Sequence, residues 1–153
     1  MRRYGFTMIE LVFVIVVLGI LAAVAIPRLG GNVVRAQIAK AQGDVAAIRS
    51  SIASARQKML VTGTNAYPSK LDNLAGPTSS TGDSLFDTNG SLTILTYPVY
   101  ASTGGWMKTA NNTYSFSVDG TAIPFTYTSA TGLFDCTHGT ADQAQKYCKK
   151  ITE

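Results

Sequence analysis

From Leu11 to Ile26 every residue is apolar or small, and Phe6-Thr7-Met8-Ile9 continues that character on the far side of a single acid, Glu10. A helix that is apolar all round belongs inside a large core or a membrane. As helix, the 22 residues from Phe6 to Pro27 would span about 33 Å, the thickness of a bilayer core. Beyond Gly31 the pattern changes. Val34, Ile38, Ala41, Val45, Ile48, Ile52, Ala55 and Met59 recur at alternating steps of four and three, which is one stripe along a helix. The predicted helix therefore continues to about Val61, where Thr62-Gly63-Thr64 breaks it.

The second half of the chain loses this period. Residues 62–91 are rich in Gly, Ser, Thr and Pro; Tyr67–Leu74 reads as a short helical turn and Pro77–Asp83 as loop. Ser91–Tyr100 is β-branched and aromatic, with Pro98 marking an edge or an end. Thr113–Val118 places Tyr114, Phe116 and Val118 on one face, Asp119-Gly120 is a hairpin turn, and Ile123–Thr128 returns. Leu133–Cys136 adds a short strand, and a helical turn is expected over Asp142–Lys149. The fold class is α+β: one long N-terminal helix packed on a small antiparallel sheet of three or four strands. Trp106, beside Gly104-Gly105, reads as a cap on the core or as an exposed contact.

Charge changes this picture little. The net charge is +4, from 13 basic and 9 acidic residues; without Arg2 and Arg3 the basic count is 11 and the balance +2. So weak and dispersed a charge argues against nucleic acid as a partner. The basic start followed by an apolar run puts the N-terminus on the cytoplasmic side and the rest outside. In that exported setting Cys136 and Cys148, twelve apart, are expected to form a disulfide, whereas a cytosolic chain would keep two thiols. A zinc site would need Cys136, His138, Cys148 and a fourth ligand, and the spacing fits no standard finger. His138 is the single histidine and has no evident catalytic partner. No phosphate-binding glycine loop, zinc-binding helix motif or nucleophile elbow occurs, so the expectation is no catalytic residue, no metal and no enzyme.

Glu10 is the anomaly, because an acid at membrane depth costs roughly 2.5–3.5 kcal/mol and tends to mark function. Three readings compete for the segment around it. Ala23-Val24-Ala25 fits a secretory cleavage site that would leave a soluble product starting at Ile26. That leaves the continuous stripe beyond it unexplained. An ordinary single-pass anchor accounts for Thr7-Met8-Ile9-Glu10 as a capping box. It leaves Gly5 without a role.

The third reading rests on Gly5-Phe6-Thr7-Met8-Ile9-Glu10, then Leu11 through Ile26 and Pro27. This stretch resembles the prepilin signature of type IV pilins and type II secretion pseudopilins. The resemblance implies a leader at 1–5, cut between Gly5 and Phe6 by a prepilin peptidase that also N-methylates Phe6. It implies a membrane and polymerisation helix at 6–27, its amphipathic continuation at 28–61, and an α+β head with a C-terminal disulfide loop at 62–153. Glu10 would then pair with the new Phe6 ammonium, of its own chain or a neighbour's, and align subunits in a homo-oligomeric filament. Such a pair is worth roughly 4 kcal/mol at 4 Å before desolvation. Pro27, Gly30 and Gly31 would form a kink or a joint that melts on assembly.

The implied role is a structural subunit of a type IV pilus or a type II secretion pseudopilus, with an inner-membrane assembly platform and ATPase as further partners. It would lie in the inner membrane with its head in the periplasm before entering the filament. The alternatives are a periplasmic binding or other soluble-type domain on a plain anchor, or a DNA-uptake competence pseudopilin. The resemblance also raises calcium as a cofactor, to which Asp119, Asp135 and Asp142 offer oxygen ligands. No spacing singles out a site, so these are expected to be turn and surface aspartates with no cofactor.

Overall fold

The computed structural model of the 153-residue chain describes residues 5–77, 81–90 and 92–153, with the side chains of 25–30 outside the description. The chain divides into two compact units, residues 1–36 and 37–153. Helix α1, Met8–Val61, begins in the first and ends in the second. In the first unit every described residue from Gly5 to Val24 is exposed. Among the described residues no helix is long and apolar enough to cross a membrane. The apolar run read from the sequence is followed there only as far as Val24, and its last members, Ala25 and Ile26, fall among the side chains not described.

In the second unit the stripe of α1 is a buried seam. Ala41, Val45, Ile48, Ile52 and Ala55 are buried, and Ile38 and Met59 are half-buried. The principal sheet is a four-stranded antiparallel meander of β5 (Trp106–Ala110), β6 (Thr113–Val118), β7 (Thr121–Thr128) and β8 (Leu133–Cys136). Tyr114, Phe116 and Val118 of β6 face the core, as do Ile123, Phe125 and Tyr127 of β7, which is the alternation a half-buried sheet demands. The β6–β7 turn has both central residues in the left-handed region, Asp119 at φ 51° and Gly120 at 72°, the conformation that favours Asp-Gly in tight hairpins.

The core is aromatic. Phe86, Trp106, Tyr114, Phe116, Phe125 and Phe134 are all fully buried. Phe86 sits at φ 56°, a strained setting for a bulky residue, and its ring packs on Tyr114 at 4.4 Å and edge-on against Trp106 and Phe134 at 5.6 Å. Trp106 belongs to the core and also reaches α1: its Nε1 donates to Asp44 Oδ2 at 2.9 Å. Arg49 of α1 donates from Nε to the Phe134 carbonyl and from Nη2 to Asp135 Oδ1, each at 3.0 Å.

Three local expectations are corrected. Ser91–Tyr100 is not one strand. Its described part contributes only β3 (Leu92–Thr93), paired with β2 (Thr88–Asn89), and β4 (Val99–Tyr100), paired with β1 (Ser84–Leu85). These two-residue ribbons lie outside the main sheet, and Pro98, just before β4, has no amide to donate to a ladder. Tyr67–Leu74 forms bends rather than a helical turn, being committed to tertiary bonds described below. The strand at Trp106–Ala110 was not expected at all. Helix α2 (Gln143–Thr152) starts at Asp142, whose side chain caps the Gln145 amide at 2.8 Å.

Candidate functional site

Two places carry chemistry: the start of α1 and the C-terminal end of the head. Gly5 and Phe6 are exposed and precede the helix, in backbone without regular structure. An extended, accessible peptide is what a protease requires. Phe6 is 81% exposed. Arg2 and Arg3, read as part of the leader, lie outside the described residues.

Thr7 and Glu10 close the helix start reciprocally. The Thr7 amide and hydroxyl both donate to Glu10 Oε2 at 2.8 Å, and the Glu10 amide donates to Thr7 Oγ1 at 3.3 Å. This is the capping box of the plain-anchor reading, and it satisfies amides that the helix itself leaves unpaired. It also folds the Glu10 carboxylate back onto the first turn, one peptide along from the Phe6 nitrogen. The joint expected at Pro27, Gly30 and Gly31 falls largely on side chains outside the description; the backbone there lies within α1.

At the other end Cys136 and Cys148 are joined by a disulfide with Cα atoms 5.9 Å apart, linking the end of β8 to α2. Tyr147, Cys148 and Ile151 are the buried face of α2. Beside the bridge, His138 Nε2 lies 3.2 Å from Asp135 Oδ1 and 3.1 Å from Thr152 Oγ1. Of the aspartates considered for calcium, Asp135 holds Arg49, Asp142 caps α2 and Asp119 forms the β6–β7 turn. They serve three separate local tasks.

Sequence reasoning missed a buried ionic knot. Lys108 and Asp72 are 2% and 0% exposed. Lys108 Nζ donates to Asp72 Oδ1 at 2.6 Å and to the Leu74 carbonyl at 2.7 Å. The Tyr114 hydroxyl donates to Asp72 Oδ2 at 2.6 Å, and the Leu74 amide to Asp72 Oδ1 at 3.0 Å. Burial and the adjacent carboxylate push the Tyr114 phenol far above its ordinary range. The knot clamps the connection after α1 onto the sheet. Tyr127 adds a second clamp through its hydroxyl to the Pro68 carbonyl at 2.7 Å. Tyr67 adds a third: its ring lies under Arg56, 4.3 Å from centroid to guanidinium, and against Gly132, where a Cβ would collide with it.

Residues 1–26 match the family model described as the prokaryotic N-terminal methylation motif. Among curated proteins the chain is 37% identical over 81 residues to type II secretion system core protein G of Dickeya chrysanthemi, covering 53% of this chain and 44% of that one. It is 47% identical over 55 residues to the type IV narrow pilus major component PilA5 of Thermus thermophilus, covering 36% and 47%. With the type IV major fimbrial protein FimA of Dichelobacter nodosus it shares 33% identity over 93 residues, 56% of each. The chain spans about half the length, or less, of these relatives, and no solved structure matches it. An exposed apolar helix start bearing a methylation motif, carried by a chain with a small α+β head, thus makes this protein similar to type II secretion pseudopilins and type IV pilins.

Proposed function

We propose that this chain is a filament subunit, of a type IV pilus or a type II secretion pseudopilus, that works by assembly rather than catalysis. The observation that carries the reading is the methylation motif at 1–26, running into a 54-residue helix whose first stretch is apolar and exposed all round. In this reading a prepilin peptidase cuts after Gly5 at the cytoplasmic face and methylates Phe6. The segment 6–27 rests in the inner membrane with the head in the periplasm. An assembly platform and its ATPase then draw subunits into a filament.

Packing apolar helices against one another in place of lipid yields little specificity. Register must come from a polar device, and Glu10 is the acid available. Cleavage creates an ammonium at Phe6, beside the carboxylate that Thr7 already holds at the first turn. When a subunit docks, that ammonium and Glu10 pair within or between chains, and Pro27–Gly31 supplies a joint where the helix is cheapest to open. Intact-mass and N-terminal analysis of protein from the native membrane tests the reading. The expected product starts at methylated Phe6; a product starting at Met1 or at Ile26 rejects it.

A further inference from the structure

The C-terminal bridge sits within a complete set of metal-ligating groups. Asp135, Cys136, His138 and Cys148 each offer one ligand atom, and these atoms all lie within 4.8 Å of one another. The fourth ligand that the sequence left unidentified is Asp135, brought to the site because β8 ends there and the chain turns back to His138. In the disulfide form the two sulfurs are bonded to each other, so neither is a thiolate. We propose that, when this disulfide is reduced, the chain binds one zinc ion through Cys136, Cys148, His138 and a carboxylate oxygen of Asp135.

The donor set selects the metal. Two thiolates and an imidazole are soft and borderline ligands that suit zinc and disfavour calcium or magnesium. Zinc–sulfur bonds of about 2.3 Å in a tetrahedron place two sulfurs just under 4 Å apart, an opening that rotation about the cysteine side chains supplies. The remaining two ligands already face each other at 3.2 Å, His138 Nε2 to Asp135 Oδ1. Outer partners are in place as well. Arg49 Nη2 and the Cys136 amide hold the Asp135 carboxylate at 3.0 and 2.9 Å. Glu153 Oε1 lies 4.0 Å from His138 Nδ1, placed to accept a hydrogen bond from Nδ1–H once Nε2 turns to a metal. Thr152 Oγ1, now 3.1 Å from Nε2, keeps its bond to the Cys148 carbonyl at 2.9 Å. Such outer contacts fix ring orientation and raise ligand basicity.

The opening step is an exchange with a dithiol. Two electrons and two protons pass to the S–S bond, giving two cysteine thiols, while the dithiol closes to its own disulfide. Zinc then displaces the two thiol protons. The covalent and the metal-bound forms both fasten β8 to α2, so the head keeps its C-terminal staple in either redox setting.

The test uses the full chain in detergent, reduced with a phosphine, which leaves as its oxide with oxygen from water. The chain is desalted without oxygen and equilibrated with zinc chloride or cobalt(II) chloride. One zinc per reduced chain should survive gel filtration, with none on the disulfide form. Cobalt should give the visible bands of a tetrahedral site together with thiolate charge transfer. Competition with a chromophoric chelator should show Glu153→Gln weakening zinc by about 10- to 100-fold, with His138→Ala weakening it more. His138 is partly exposed, so that variant leaves the core untouched. Failure of the reduced chain to retain zinc overturns the proposal. So does equal affinity in His138→Ala, which would mean that a bare dithiol holds the ion.

Discussion

Ile15 and Ile48 lie on the same helix and meet opposite fates: the first is 57% exposed and the second fully buried. The difference is the company each keeps. Around Ile48 the apolar positions form one buried stripe, flanked by Asp44 bonded to Trp106 and Arg49 bonded to the Phe134 carbonyl. Around Ile15 the apolar residues point in every direction, and the described chain supplies nothing to cover them. Each such side chain left in water forgoes about 1.5–3 kcal/mol, so in the proposed reading lipid or other copies of the chain cover the first unit, while the head buries its own core.

The sharpest way to break this contrast is Glu10→Ala. In the head it should change nothing, because among the described residues Glu10 bonds only to Thr7. The apolar run should still hold the chain in the membrane. Assembly should collapse: losing about 1–2 kcal/mol at each intersubunit polar contact compounds along a filament. Filament yield by shearing and sedimentation, beside the thermal transition of the head, separates the two regions. Filaments of normal yield and order from the variant would remove Glu10 as the register device.

Asp72→Ala should do the reverse, striking the head and sparing the helix start. It strands the buried Lys108 ammonium from Asp72 and deprives the Tyr114 hydroxyl of its acceptor. Breaking one side of a buried pair costs about 3–5 kcal/mol, a large share of the stability of a small domain. Chemical denaturation of the full chain in detergent, followed by Trp106 fluorescence, should show the midpoint fall. Replacing Asp72 and Lys108 together by apolar residues should recover much of the loss, since buried pairs are often no better than well-packed hydrocarbon.

The sequence made one half of this contrast plain and hid much of the other. A period of 3.5 over Val34–Met59 leaves little but a helix stripe, and the Tyr114, Phe116, Val118 alternation leaves little but a strand. Lys108 was unreadable because a lone lysine in a polar context is ordinarily solvated. Its position two residues after Trp106, on the same face of a strand, was the signal, and it depended on recognising β5 in the first place. Ser91–Tyr100 misled for the opposite reason: strong β propensity in a segment whose proline and pairing partners allow only two short ribbons. Asp135 was weighed only among scattered aspartates, because spacing does not show that its carboxylate lies beside His138 and the two sulfurs. Tertiary placement made each of these decisions.

The mildest test acts on the head through pH and leaves the sequence intact at first. Burial pushes the Tyr127 phenol up to about 12, against about 10 in an unfolded chain. Between those values the folded chain keeps this proton while the unfolded chain releases it, so stability falls as pH rises. Tyr127 therefore contributes fully below pH 10 and loses its contribution as pH climbs through 12. Tyr114, displaced in the same direction by burial beside Asp72, adds to the slope. Denaturation midpoints should hold level up to about pH 9 and then decline steeply. Other groups titrate in this range too, so the decisive quantity is the difference from Tyr127→Phe. That variant loses the hydroxyl bond to the Pro68 carbonyl and starts less stable at pH 8, but its alkaline decline should be shallower. If both proteins fall along parallel curves, the Tyr127 phenol is not what holds the connection after α1 against the sheet, and the Asp72 knot carries that clamp without it.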